Sequence, residues 1–116
     1  MNKRELGTIY EEKTSDYIKN HSMKILEMNY RCKCGEVDII AQDRNYLVFI
    51  EVKYRTSLNY GHPSQAVDYR KQRKIIQTAI WYIKNTQKFD CPIRFDVACW
   101  IGDTLEYHKG AFDYHE

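Results

Sequence analysis

With 116 residues, 43% of them hydrophobic and 29% charged, the chain has the length and apolar content for one compact domain, and its composition lies in the globular range, far from that of disordered chains. No apolar run approaches the length of a membrane span, and MNKRELGTIYEEK carries no apolar segment behind its basic residues, so a cytoplasmic protein is expected. The net charge of +2 argues only weakly for a polyanionic partner, but the charge is polarised: residues 53–74 carry a net +5 and residues 103–116 a net −3.

Residues 3–20 are expected to form a first helix, with Leu6, Ile9, Tyr10, Lys13 and Tyr17 along its buried stripe and Glu11 at the border of that stripe. KILEMNYR (24–31) reads as a first strand, followed by a Cys-Lys-Cys-Gly turn. Strand two is expected over Glu36–Gln42 and strand three over Tyr46–Tyr54, joined by a polar Asp43-Arg44-Asn45 turn. Gly61-His62-Pro63-Ser64 announces a second helix with Val67, Ile75, Ile76, Ala79, Ile80 and Ile83 inside, fading near Asn85. IRFDVACWI (93–101) and TLEYHKG (104–110) are the fourth and fifth strands. The order is α-β-β-β-α-β-β in a single domain, residues 1–116, and the crossover through helix two makes strands three and four parallel within a mixed sheet. Trp81, Tyr82 and Trp100 fall in apolar segments and read as core, whereas Tyr54 and Tyr60 are candidates for contacting nucleic acid.

The hairpin of strands two and three carries the chemistry. With Arg44 and Asn45 as loop residues, facing positions sum to 89, which sets Asp38 opposite Glu51 and Glu36 opposite Lys53. Strict alternation then puts these four residues on one face, with Val37, Ile39, Ala41, Val48, Ile50, Val52 and Tyr54 on the other. Two carboxylates brought face to face are destabilising without a compensating cation, and a divalent ion with a taste for oxygen ligands supplies one. An ammonium at Lys53 beside such an ion would orient water or offset charge developing in a transition state. The rival reading is an exposed face with an ordinary Glu36–Lys53 ion pair, which contributes under about 1 kcal/mol. The four cysteines (Cys32, Cys34, Cys91, Cys99) read as reduced thiols, Cys99 as a small core residue. Cys32 and Cys34 leave open a zinc-dependent interaction module, although one intervening residue is fewer than the usual two to four. His62 reads as an exposed loop residue.

Asp38, a short hairpin and Glu51-Val52-Lys53 resemble the D…(E/Q)xK signature of restriction-endonuclease-like nucleases. Together with LGTIYEEKTSDYI, NYRCKCGEVDIIAQD, LVFIEVKYR, GHPSQAV and RFDV, the chain resembles the YraN family of small bacterial proteins, related to Holliday-junction resolvases. That resemblance implies a restriction-endonuclease-like α/β fold, a mixed sheet flanked by helices. It implies Asp38 and Glu51 as ligands of Mg2+ or Mn2+, Glu11 as a further acid of the cluster and Lys53 as the catalytic lysine. Glu11 stands in a Gly-x-x-Gly-Glu pattern in which Tyr10 replaces the second glycine. Glu36 matches the glutamate of a Gly-Glu-x-Asp element and would tune Lys53 or bind a second metal. Arg55, Gln65, Arg70, Lys71 and Lys74 are candidate phosphate contacts. The expected function is metal-dependent hydrolysis of DNA phosphodiester bonds, branched DNA included, by a homodimer; the alternative is a non-catalytic nucleic-acid-binding or adaptor protein that keeps the fold.

Overall fold

The structure, a computed structural model, describes residues 1–55 and 67–116. Its elements are α1 (Lys3–Asn20), β1 (Lys24–Cys32), β2 (Gly35–Asp43), β3 (Tyr46–Arg55), α2 (Tyr69–Thr86), β4 (Ile93–Ile101) and β5 (Thr104–Phe112), in the expected order. The strands form one sheet in the order β1-β2-β3-β4-β5. β3 and β4 run parallel from Leu47↔Ile93 to Arg55↔Ile101, as the crossover required, and the other neighbours are antiparallel. No helix among the described residues is long and apolar enough to cross a membrane.

One helix covers each face of the sheet. Ile18 of α1 joins Met23, Ile39, Ala41, Val48, Ile50 and Ala98 in one core. On the opposite face, Ile75, Ile76, Ala79, Tyr82 and Ile83 of α2 pack on Ile40, Leu47, Phe49, Phe95, Val97 and Cys99. Leu47, Val48, Phe49 and Ile50 are all buried, so the first half of β3 is apolar on both sides, as a central strand should be. Tyr82 and Trp100 are core residues, and Cys99 is fully buried.

Two helix expectations are corrected. α2 begins at Tyr69, capped by the Asp68 carboxylate accepting from the Lys71 N–H at 2.8 Å, so Val67 is buried just ahead of the helix rather than within it. The Gly61-His62-Pro63-Ser64 signal lies outside the described residues, as do Tyr60 and Gln65. In α1 the expected apolar stripe is only half-buried, and the buried line is Thr14, Ser15 and Ile18. Polar residues are tolerated there because their groups are satisfied: the Thr14 hydroxyl donates to the Tyr10 carbonyl at 2.7 Å and accepts the buried Trp100 indole N–H at 2.8 Å. Followed back by helical spacing, this line passes through Glu11 and Gly7. Tyr10 stacks on Tyr54 with ring centroids 4.8 Å apart and lies 5.9 Å from Trp100. The residue that departs from the Gly-x-x-Gly-Glu pattern thus clamps α1 to the end of β3, and Tyr54, a candidate nucleic-acid contact, is held in that stack with its hydroxyl donating to the Lys3 carbonyl at 3.2 Å.

The turn between β1 and β2 is fixed by Gly35, whose φ of +149° is a conformation that L side chains rarely adopt. A Cβ at Gly35 would also stand 3.2 Å from the Thr78 hydroxyl of α2. Gly35→Ala is therefore expected to destabilise the protein by about 1–3 kcal/mol, read as a lower urea midpoint with unchanged m-value.

Candidate active site

The β2–β3 ladder keeps the expected register from Asp43↔Tyr46 to Ile39↔Ile50 and then stops. Beyond it, the N–H of Val52, which would face residue 37 if the register continued, is taken by the Asp38 carboxylate at 2.8 Å. The same point interrupts β1. The β1–β2 pairing runs through Met28↔Ile39 and resumes at Tyr30↔Val37, leaving Asn29 and Asp38 across from each other, and Asn29 has φ +54°. Asn is among the few residues that enter this left-handed region readily. As a result the strand turns over: Ile39 belongs to the core under α1 and Val37 to the core under α2. Alternation had put Val37 and Ile39 on the same face, so that expectation is corrected.

The acidic pair forms by a different route from the one the register suggested. Asp38 and Glu51 are not ladder partners; their carboxylates come close enough for Glu51 to act on Asp38 at the point where β2 and β3 part. Glu51 is only 4% exposed, and its carboxylate lies 3.4 Å from the Lys53 ammonium and 3.5 Å from that of Lys71. The expected Glu36–Lys53 pairing is absent. Glu36 faces Arg31 in the β1–β2 ladder and pairs with its guanidinium at 3.1 Å, because it lies beyond the interruption and is turned toward the edge strand.

Burial, followed by repulsion from Glu51, pushes the Asp38 carboxyl up to about 8, against which the Val52 N–H works. At neutral pH the protonated form of Asp38 is therefore favoured. Glu11 is also raised, chiefly by burial and further by Glu36 and Glu51, while a hydrogen bond to the Asn29 side chain holds it down. Glu11, Asp38 and Asn29 line one cleft of about 410 Å³ beside the N-terminal turns of α1.

The other expected site residues divide. Lys71 and Lys74 line a second cleft, of about 620 Å³, with the β1–β2 turn. Arg70 is exposed in the first turn of α2. Arg55 sits opposite Ile101 where β3 ends and lines neither cleft. Asn29 and Arg31 escaped sequence reasoning, since a left-handed residue inside a strand leaves no periodic signal. The Cys34 N–H points at the Cys32 thiol at 3.4 Å in the β1–β2 turn, and among the described residues no group of three His, Cys, Asp or Glu side chains is placed to enclose a metal ion.

Known proteins resemble this chain over most of its length. The description "Uncharacterised protein family UPF0102" matches residues 10–99. A UPF0102 protein of Lachnoclostridium phytofermentans is 41% identical over 114 residues, 97% of each chain. One of Fusobacterium nucleatum is 44% identical over 109 residues, 94% of this chain and 92% of its own. One of Clostridium botulinum strain Hall is 50% identical over 103 residues, 88% of this chain and 84% of the relative.

Proposed function

The chain belongs to the uncharacterised protein family UPF0102, the YraN family that the motifs resemble, and on that premise we propose that it is a metal-dependent phosphodiesterase acting on DNA. The observation that carries the reading is the Asp38–Glu51 contact: two carboxylates held together at the fork of β2 and β3, Asp38 raised by burial and by Glu51, with two ammoniums beside Glu51.

This donor set fits a hard divalent cation. A doubly charged ion can take the place of a proton on Asp38, and Mg2+ is commonly held by one or two carboxylates with water and substrate phosphate supplying its other ligands. Asp38 and Glu51 would hold Mg2+ or Mn2+, with Glu11 behind them. When bound, the ion would polarise a phosphoryl oxygen and acidify a water molecule. The Val52 N–H fixes the Asp38 rotamer, so that one carboxylate oxygen is aimed toward Glu51 before any ligand arrives. Lys53 and Lys71 place two positive charges where a phosphoryl group seated on the carboxylate pair would gain negative charge. Asn29 orients Glu11 through its amide. A homodimer pairing two such sites belongs to the same proposal; sedimentation velocity at micromolar protein would give a single species of twice the chain mass.

The test is cleavage of supercoiled, single-stranded and branched DNA in Mg2+, Mn2+ or EDTA. Cleavage is expected only with metal, and Glu51→Gln is expected to lower it by about 10³-fold while leaving binding in EDTA nearly unchanged. A second reading is a nucleic-acid-binding protein without turnover, which the cations lining the clefts would serve equally well. Metal-independent DNA binding with no cleavage of any of the three substrates would decide for it.

A further inference from the structure

The two clefts beside the acidic pair share a wall. Arg31 and Glu36 line both, so the clefts lie side by side with that ion pair between them, one reaching from Lys3 and Arg4 in the first turn of α1 past Glu11 and Asp38, the other to Lys33 in the β1–β2 turn and Lys71 and Lys74 on α2. Of these cations, Lys3, Arg4 and Lys74 make no ion pair among the described residues, and all three are exposed. Lys33 stands over the Trp81 ring at 5.2 Å, which directs its stem without neutralising it. Among the described residues Arg31 makes its ion pair with Glu36, an exposed pair whose partner a phosphate can readily displace.

We propose that the clefts form one trough for the sugar–phosphate backbone of a nucleic-acid strand, with Lys3 and Arg4 holding phosphates on one side of the Asp38–Glu51 pair and Lys33 and Lys74 holding them on the other. The lining bears on the class of ligand. Among the described residues no aromatic ring lines either cleft, so these walls offer charge and not a surface for stacking an unpaired base. What the trough offers is positive charge at two stations, which reads the backbone and not the base sequence. The ligand class is therefore a duplex arm held by one of its strands, bound with little regard to sequence.

The inference rests on the phosphodiesterase reading for the location of the scissile bond, but its test is independent of catalysis. Binding of a fluorescein-labelled DNA duplex to the full chain in EDTA is followed by anisotropy across a salt series. Lys3→Ala/Arg4→Ala and Lys33→Ala/Lys74→Ala, all at exposed positions, are each expected to weaken binding roughly 10-fold at about 0.1 M salt and to flatten the log–log salt slope by about 1.5–2. Lys19→Ala/Lys84→Ala, at the far ends of the two helices, should leave both quantities unchanged, and a duplex of scrambled sequence should bind as tightly as the first. Equal losses in the control pair, or a wild-type chain that binds no duplex, would overturn the trough. If the two cleft variants bind and cleave like wild type, the trough fails while the enzyme reading stands. If binding depends on the clefts but metal brings no cleavage, the enzyme reading fails and the trough stands.

Discussion

Replacing Asp38 by Asn should raise the stability of the metal-free protein at alkaline pH while lowering DNA cleavage by about 10³-fold. Asn is close in shape to Asp; its carbonyl oxygen can accept the Val52 N–H and its amide can donate to Glu51, so both contacts of the native side chain persist without its charge. The sign follows from linkage. In the unfolded chain Asp38 ionises near its ordinary value of 3.8, whereas in the fold burial and Glu51 hold it at about 8. Between those values the native state binds the extra proton, so wild-type stability falls as pH rises from about 4 to about 8 and stays low above that. The variant has no such proton to lose and should escape this fall. Allowing for relaxation of the pair, the difference at pH 9 should be about 2–4 kcal/mol, or roughly 10 °C or more in Tm, and should vanish near pH 4. Mg2+ at pH 8–9 should raise the Tm of wild type and not that of the variant, since only wild type has a second carboxylate to be relieved. Equal Tm values for the two proteins across the whole pH range would mean that Asp38 does not hold its proton in the fold.

The sequence made the β2–β3 register legible because a hairpin turn and an apolar first half of β3 together leave one way to pair Asp43 with Tyr46. It brought Asp38 and Glu51 together by an incomplete argument. Counting residues in twos brought Asp38 to Glu51, but the count assumes an unbroken ladder, and the fold breaks the ladder at Asn29 and Asp38 to bring those carboxylates together. The same break explains why Glu36 and Lys53 were matched and do not meet. The sheet-facing line of α1 was hidden for a different reason: Thr14 and Ser15 are polar, and only the distant Trp100 indole shows why Thr14 is at home in the interior. RFDV was visible as a motif without a task. The partners that explain it, Asp43, Tyr107 and Gly110, lie between 11 and 51 residues away along the chain, beyond any periodicity.

Asp96→Ala should cost about 3–5 kcal/mol, a large share of the stability of a domain this size, measured as a drop in the urea midpoint. Asp96 is fully buried, and its carboxylate takes four hydrogen bonds: Arg94 Nε and Nη2 at 2.9 Å each, the Tyr107 hydroxyl at 2.6 Å and the Gly110 N–H at 2.9 Å. Arg94 in turn reaches the Asp43 carboxylate at 2.9 Å, which ties β2 to β4 across β3. Removing the carboxylate leaves a guanidinium, a phenol and an amide with unmet hydrogen bonds inside the protein, each of them costly. Tyr107→Phe removes one donor and leaves three, so it should cost only about 1–2 kcal/mol. A similar cost for both variants would mean that packing of the Tyr107 ring, and not satisfaction of the Asp96 charge, dominates. Asp38 and Asp96 thus carry the same group in largely enclosed positions and should respond to neutralisation with opposite signs. Asp96 has a cation, a phenol O–H and a main-chain N–H arranged around it, whereas among the described residues Asp38 accepts one N–H and faces another acid, the condition of a carboxylate suited to an ion from outside the chain.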